Sequence, residues 1–326
     1  MRKFWAVLAV IFVFLANPAF AAGTPIAGSS VGFQRLTGAD GTEIGIWYPS
    51  AGEERDIVLG LYRQQVVPGG PVIGQALPLV VMSHGNGGSF ASHADTAKVL
   101  AKAGFIVAAL THPGDNWKDQ SKATAMADRP VALSRLIDFM LGEWTSDAAI
   151  DPDRIGAFGF SSGGFTVLAA AGGVPDFTLL PRHCAAHPES YDCRLLKEHP
   201  RDSMPSWPAM HDPRIKALVV AAPALGFTFT GSGLKDIRIP VQLWRADDDH
   251  ILPAPDYADA VRAALPTAPQ FHSVPGADHF DFLAPCNGPV SVPAICAEAS
   301  GFDRVGFHRQ FNSAVAAFFT ETLARP

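Results

Sequence analysis

Lysine and arginine never cluster in this sequence. With 25 basic against 31 acidic side chains in 326 residues the formal charge is −6, and an acidic chain without a basic patch argues against nucleic acid as a partner. Beyond the N-terminal stretch no run is apolar for long enough to cross a bilayer, so no membrane span is expected. Internal repeats and low-complexity tracts are missing, which sets aside repeat architectures. The glycine-rich run at 85–88 is not followed by the G-K-[ST] of a nucleotide phosphate loop. Cysteine is scarce, four residues in all, and neither C-x-x-C nor His-x-x-x-His spacing is recognised beside them in support of a metal site. No metal and no cofactor is expected.

What is present at the N-terminus sets the compartment. Arg2 and Lys3 precede an apolar run at residues 4–15, and Ala19-Phe20-Ala21 follows as an A-x-A cleavage pattern. Residues 1–21 therefore read as a secretory signal peptide whose apolar run is too short for a membrane helix. No cysteine lies near the cleavage point, so a lipid anchor is not expected there. The mature chain would begin near Ala22, be periplasmic or secreted, and be more acidic by the two charges of Arg2 and Lys3. In an oxidising compartment four cysteines imply disulfides, with three possible pairings. Cys184–Cys193 and Cys286–Cys296 are favoured because each closes a short loop within one irregular segment.

Apolar residues make up 48% of the chain, enough for a sizeable core. Residues 22–76 read as an antiparallel region with strands at 31–37 and 43–48. The stretch 52–74 is poorly periodic, rich in Pro and Gly, and reads as a loop. From residue 77 apolar strands alternate with helical spacing. Strands are expected at 78–82, 105–110, 154–160, 215–221, 241–244 and 270–274, and helices at 90–102, 128–141, after 161, and at about 303–323. That alternation specifies an α/β fold: a mostly parallel sheet with helices on both faces, built as one domain over 22–326. One segment, at about 172–212, breaks the rhythm with Pro, His and charge. It reads as a cap or lid pinned by Cys184–Cys193, against the alternative of a passive surface excursion.

The chemistry centres on Gly159-Phe160-Ser161-Ser162-Gly163, a G-x-S-x-G elbow between an apolar strand and an Ala-rich helix. The flanking glycines let strand and helix approach while Ser161 is held strained at the tip. A nucleophilic serine needs a base and an acid in the order Ser, Asp, His. Arg245-Ala-Asp-Asp-Asp-His-Ile-Leu-Pro253 follows a strand and offers Asp249, four residues before the proline, with Asp247 as the alternative. His279 opens the loop after the last strand and is the candidate base. His272 falls within that strand, His308 on the last helix, and His250 beside the acid. Ser83-His84-Gly85-Asn86-Gly87-Gly88 resembles an HGGG-type loop, giving the N–H groups of Asn86 and Ser162 as oxyanion-hole donors and leaving His84 to brace the loop. Phe90, Trp117, Phe177 and Trp207 hint at an apolar pocket, with core packing the expected role for several of them.

These residues, with Thr111-His-Pro-Gly-Asp-Asn116, residues 276–286 and the tail at 301–311, make the chain resemble an α/β-hydrolase. Within that fold it looks like the dienelactone-hydrolase-like and platelet-activating-factor-acetylhydrolase-like serine esterases. The resemblance implies the α/β-hydrolase fold and hydrolysis of a small-molecule carboxylic ester through an acyl-enzyme. Two departures keep the substrate open. Dienelactone hydrolases proper carry Cys where Ser161 stands. Platelet-activating-factor acetylhydrolases take their acid soon after the strand following the nucleophile, where this chain has Ala221-Ala-Pro223. A lipase, a phospholipid-acyl hydrolase or a peptidase with the same three residues, and a non-catalytic binding protein of the same fold, remain as alternatives.

Overall fold

The computed structural model describes residues 30–38, 40–144, 150–200, 207, 210–297 and 301–324. The signal-peptide reading of residues 1–21 lies outside the described residues.

The chain opens with β1 (Ser30–Thr37) and β2 (Glu43–Ser50), paired antiparallel from Ser30 opposite Ser50 to Thr37 opposite Glu43. Next come β3 (Arg55–Leu59) and β4 (Tyr62–Pro68), an antiparallel hairpin turning at Gly60 and Leu61. This corrects the reading of 52–74 as a loop. In β4, Tyr62, Gln64 and Val66 are buried while Arg63 and Gln65 are exposed, a period of two whose middle inward position is polar. Gln64 tolerates burial because its Oε1 accepts the Trp47 indole N–H at 2.9 Å.

The alternating part then runs β5 (Leu77–Ser83), α1 (Ala94–Lys102), β6 (Ile106–Leu110), α2 (Asp128–Gly142), β7 (Ile150–Phe160) and α3 (Ser162–Ala170). After it come α4 (Leu180–Ala186), α5 (Tyr191–Glu198), β8 (Ile215–Ala221), α6 (Gly231–Leu234) and β9 (Val241–Ala246). The chain continues with α7 (Ala258–Ala264), β10 (Gln270–Val274), α8 (Pro293–Cys296) and α9 (Arg304–Thr322). The strands form one sheet in the order β10-β9-β8-β7-β5-β6-β2-β1-β4-β3. From β10 to β6 every neighbouring pair is parallel, and β2 joins β6 antiparallel.

Side-chain alternation divides the core. Leu79 and Val81 of β5 face one layer with α2, α3 and α7, while Val80 and Met82 face the other with α1 and α9. Each fully buried aliphatic side chain of this kind contributes about 1.5–3 kcal/mol. On α9, Phe311, Val315 and Phe319 are fully buried along one stripe. The expected helix at 90–102 starts only at Ala94. Ahead of it Ser89 and Ser92 bond each other's backbone, the Ser92 N–H to the Ser89 carbonyl and the Ser89 N–H to the Ser92 Oγ, which holds a turn there instead.

Because β5, β7, β9 and β10 run parallel, the loops after them leave the same edge of the sheet. That geometry gathers residues 84–88, Ser161, Asp249 and His279. Both favoured cysteine pairs are disulfide-bonded, each with a Cα–Cα distance of 5.5 Å. Cys184–Cys193 ties α4 to α5, and Cys286–Cys296 ties α8 to the loop beyond His279. Among the described residues no helix is long and apolar enough to cross a membrane.

Candidate active site

Ser161 sits between β7 and α3 with φ 55° and ψ −120°, a conformation that L-residues adopt only under constraint. The constraint is visible. Its N–H donates to the Ala221 carbonyl at 2.9 Å, and its own carbonyl accepts from Phe165 and Ala224 at 3.2 and 3.0 Å. A Cβ on Gly159 would lie 2.0 Å from the Gly163 carbonyl oxygen, and one on Gly163 would lie 1.9 Å from that of Ser83. Only glycine permits so close an approach at these two positions. Every residue of α3 is buried, in keeping with a helix that is apolar all round.

His279 begins a 3-10 turn (His279–Phe282) fixed by a capping box. Asp278 Oδ1 accepts the His279 N–H at 2.7 Å, and Asp281 Oδ2 accepts the Asp278 N–H at 2.9 Å. The imidazole is 2% exposed and packs 4.8 Å from the Phe160 ring. Its Nδ1 lies 2.8 Å from Asp249 Oδ2 and its Nε2 lies 3.0 Å from Ser161 Oγ. Asp249 is buried, and its other oxygen accepts the N–H groups of Ile251 and Leu252 at 2.9 and 2.6 Å. A carboxylate accepts only, so His279 Nδ1–H donates to it and Nε2 is left to accept the Ser161 hydroxyl proton. Of the three consecutive aspartates, Asp249 alone faces His279. Asp247 accepts from Arg245 Nε at 3.0 Å and from the Ser273 hydroxyl at 2.5 Å, and Asp248 points to solvent. His272 stacks on Trp244 at 3.9 Å, and His308 bonds Asp95 at 2.6 Å, both away from Ser161.

The loop after β5 is held from below by an ion pair that sequence reasoning missed. Asp115 and Arg129 are both buried, and the guanidinium donates to Asp115 Oδ2, to the His84 carbonyl, and to Thr166 Oγ1 on α3 at 3.0 Å. Burial lowers the Arg129 pKa and Asp115 works against that shift. Asp115 Oδ1 accepts from Asn86 Nδ2 at 2.6 Å and from the Gly87 N–H at 3.0 Å. The motif Thr111 to Asn116 thus contains the acid that shapes the glycine loop, and nothing local marks Arg129 as its partner. Arg129→Met strands the Asp115 charge in the interior. It should lower the unfolding free energy by about 3–5 kcal/mol in urea denaturation, whereas a loss under about 1 kcal/mol would mean the pair does not hold the loop.

His84 braces the same loop. Its Nε2 accepts the His112 N–H at 3.0 Å and its Nδ1–H donates to the Gly85 carbonyl at 2.5 Å. Burial, reinforced by Arg129, lowers its pKa to about 3, so the ring stays neutral. Among the described residues, the N–H groups of Asn86 and Ser162 donate to no protein acceptor. Ser162 is the first residue of α3, where the N–H has no intrahelical partner and the helix dipole is positive.

Ser161 and His279 open onto a cavity of about 660 Å³. Its walls are the β3–β4 turn with Leu61 and Tyr62, the α5 face with Tyr191 and Leu195, and the disulfide-closed loop with Val290, Val292 and Ile295. The Tyr191 hydroxyl donates to Asn86 Oδ1, so α5 is bonded directly to the glycine loop. Of the four aromatics expected at a pocket, Trp117 lines this one. Phe90 packs with Trp47 in the core, and Phe177 and Trp207 pack on Phe165.

Asp192, next along α5, is buried, and its Oδ2 has no hydrogen-bond partner among the described residues. Burial raises its pKa to about 6, with Tyr257 and His279 opposing. A carboxyl whose folded-state pKa is raised contributes most to stability below pH 4 and loses that contribution as pH rises through 6. Asp192→Asn should therefore raise Tm by a few degrees at pH 8 and change it little at pH 4, as thermal melts at the two pH values will show.

No family model matches the chain. Over 163 residues it is 30% identical to the “Putative esterase NocK” of Nocardia uniformis subsp. tsuyamanensis, a stretch covering 48% of this chain and 46% of that protein. The chain thus matches about half the length of this curated relative. In three dimensions it is similar to a ferulic acid esterase from Streptomyces cinnamoneus, with a TM-score of 0.61 and 18% identity. That match covers 94% of this chain and 95% of the esterase, and what the two share is the fold, a mostly parallel sheet flanked by helices.

Proposed function

We propose that the protein is a serine hydrolase that cleaves carboxylic esters through an acyl-enzyme, with Ser161 as nucleophile, His279 as base and Asp249 as acid. The observation that carries this reading is the chain of contacts from Asp249 to His279 to Ser161, at 2.8 and 3.0 Å, ending on a strained serine at the cavity. The 30% identity to the “Putative esterase NocK” over 48% of the chain and the fold shared with a ferulic acid esterase support it.

In the acylation step Ser161 Oγ attacks the ester carbonyl carbon and passes its proton to His279 Nε2. Asp249 keeps the Nδ1–H tautomer and stabilises the imidazolium. The negative oxygen of the tetrahedral intermediate takes the N–H groups of Asn86 and Ser162, each worth about 3–4 kcal/mol in the transition state. As the intermediate collapses, the C–O bond to the alcohol breaks and His279 returns the proton to the leaving oxygen. Water, giving its proton to the same imidazole, then attacks the acyl carbon. The bond from that carbon to Ser161 Oγ breaks, the imidazolium returns the proton to Oγ, and the acid leaves. These steps need no metal or cofactor.

Within the 172–212 segment, α5 serves as a cap over the cavity through Tyr191, Arg194, Leu195 and Glu198, and residues 1–21 direct the chain to the periplasm or out of the cell. A dienelactone-hydrolase-like or platelet-activating-factor-acetylhydrolase-like placement belongs to the same reading. A fluorophosphonate probe tests it: one label per folded chain is expected, mapped to Ser161. Folded protein that takes no label would overturn the assignment. A series of p-nitrophenyl esters graded by acyl length then defines the acyl side.

A further inference from the structure

We propose that His183, His187 and Asp256 form a binding site for a divalent transition-metal ion, zinc above all, which fastens the α4–α5 segment to the loop that carries Asp249. The expectation that no His-x-x-x-His spacing accompanies the cysteines is mistaken: His183-Cys-Ala-Ala-His187 is such a pair, with Cys184 inside it. His183 lies on α4 and His187 at its C-terminal cap, so the two project from adjacent turns of one face, with ring centres 5.0 Å apart. Asp256 arrives from a distant part of the chain, seven residues beyond Asp249. Its Oδ2 is 3.5 Å from His187 Nε2, and one donor atom from each of the three residues lies within 4.8 Å of the others.

Tetrahedral zinc, with ligands at about 2.0–2.1 Å, sets donor atoms about 3.3 Å apart. The Asp256–His187 separation is already close to that value. His187 is exposed and Asp256 half-exposed, so rotation of these side chains brings all three donors into the shell. Two imidazoles and one carboxylate form a donor set that suits zinc and leave a fourth position for water.

His183 is the oriented member. It is buried, stacked on Phe227 at 3.8 Å with 9° between the planes, and its Nε2 lies 3.5 Å from the Tyr257 hydroxyl, too long for a strong hydrogen bond. An ordinary His187–Asp256 ion pair at the surface leaves the convergence of His183 unexplained and contributes little on its own. The site also stands beside the Cys184–Cys193 bridge, so the ion and the disulfide would together fix α4 and α5. Its ligands are separate from the ester chemistry proposed above.

The test uses the purified chain with disulfides intact, stripped with chelator and titrated with zinc. One zinc ion per chain is expected in calorimetry, with micromolar or tighter affinity and a Tm that rises with zinc and levels off at saturation. His187→Ala and Asp256→Asn should each weaken binding roughly tenfold or more and abolish the Tm rise, while the zinc-free Tm of His187→Ala stays at the wild-type value. No saturable binding, or stoichiometric binding that both variants keep unchanged, overturns the proposal. Fluorophosphonate labelling of the same samples reports Ser161 separately, so a failed metal site and a failed esterase reading remain distinguishable.

Discussion

Ser161→Ala is expected to abolish ester turnover, lowering kcat by roughly 10⁵- to 10⁶-fold and eliminating fluorophosphonate labelling. The reasoning separates chemistry from fold. Among the described residues the hydroxyl hydrogen-bonds to the His279 ring, while the elbow itself is held by backbone hydrogen bonds to Ala221, Phe165 and Ala224. Alanine keeps the Cβ and all of these bonds. Stability should therefore stay within about 1 kcal/mol of wild type, checked by denaturation alongside the kinetics. A Ser161→Ala protein that still shows an acyl-enzyme burst would place the nucleophile elsewhere.

Asp249→Asn carries the second large effect, a loss of about 10⁴-fold in kcat with the fold retained. Asp249 Oδ1 receives two backbone N–H groups, from Ile251 and Leu252. An asparagine must therefore turn its carbonyl oxygen toward them and its NH2 toward His279. The imidazole then has to accept at Nδ1, which puts its proton on Nε2 facing Ser161, the wrong tautomer for a base. Asp247→Asn and Asp248→Asn make no such demand and should leave kcat within about twofold of wild type. Steady-state rates on one p-nitrophenyl ester decide the matter, and a damaging Asp247→Asn would mean the acid is misassigned.

Much of the architecture was legible because burial leaves a period in the sequence. The strands at 215–221 and 270–274 have the expected bounds, and the loops that follow parallel strands necessarily meet at one edge. Ser161, Asp249 and His279 could be proposed from the sequence because each lies in the loop that follows an expected strand. Gln64 shows where that logic stops. Its burial depends on Trp47 across the sheet, so a real strand looked like polar loop. The Asp115–Arg129 pair is hidden for a related reason. Arg129 near the start of a helix reads as a solvated charge, and only the packing of α2 against the glycine loop turns it inward. His183, His187 and Asp256 likewise become neighbours only after the chain has closed on itself.

Asn86 is the residue whose position has the widest reach. Its side-chain nitrogen is held by Asp115 beneath the loop and its oxygen by Tyr191 of α5 above it. One amide therefore couples the floor of the cavity to its roof. Without Tyr191 the amide would keep Asp115, while His84 and Arg129 still hold the backbone of the loop. A change in α5 is therefore felt at the glycine loop through the one amide that Tyr191 and Asp115 both hold.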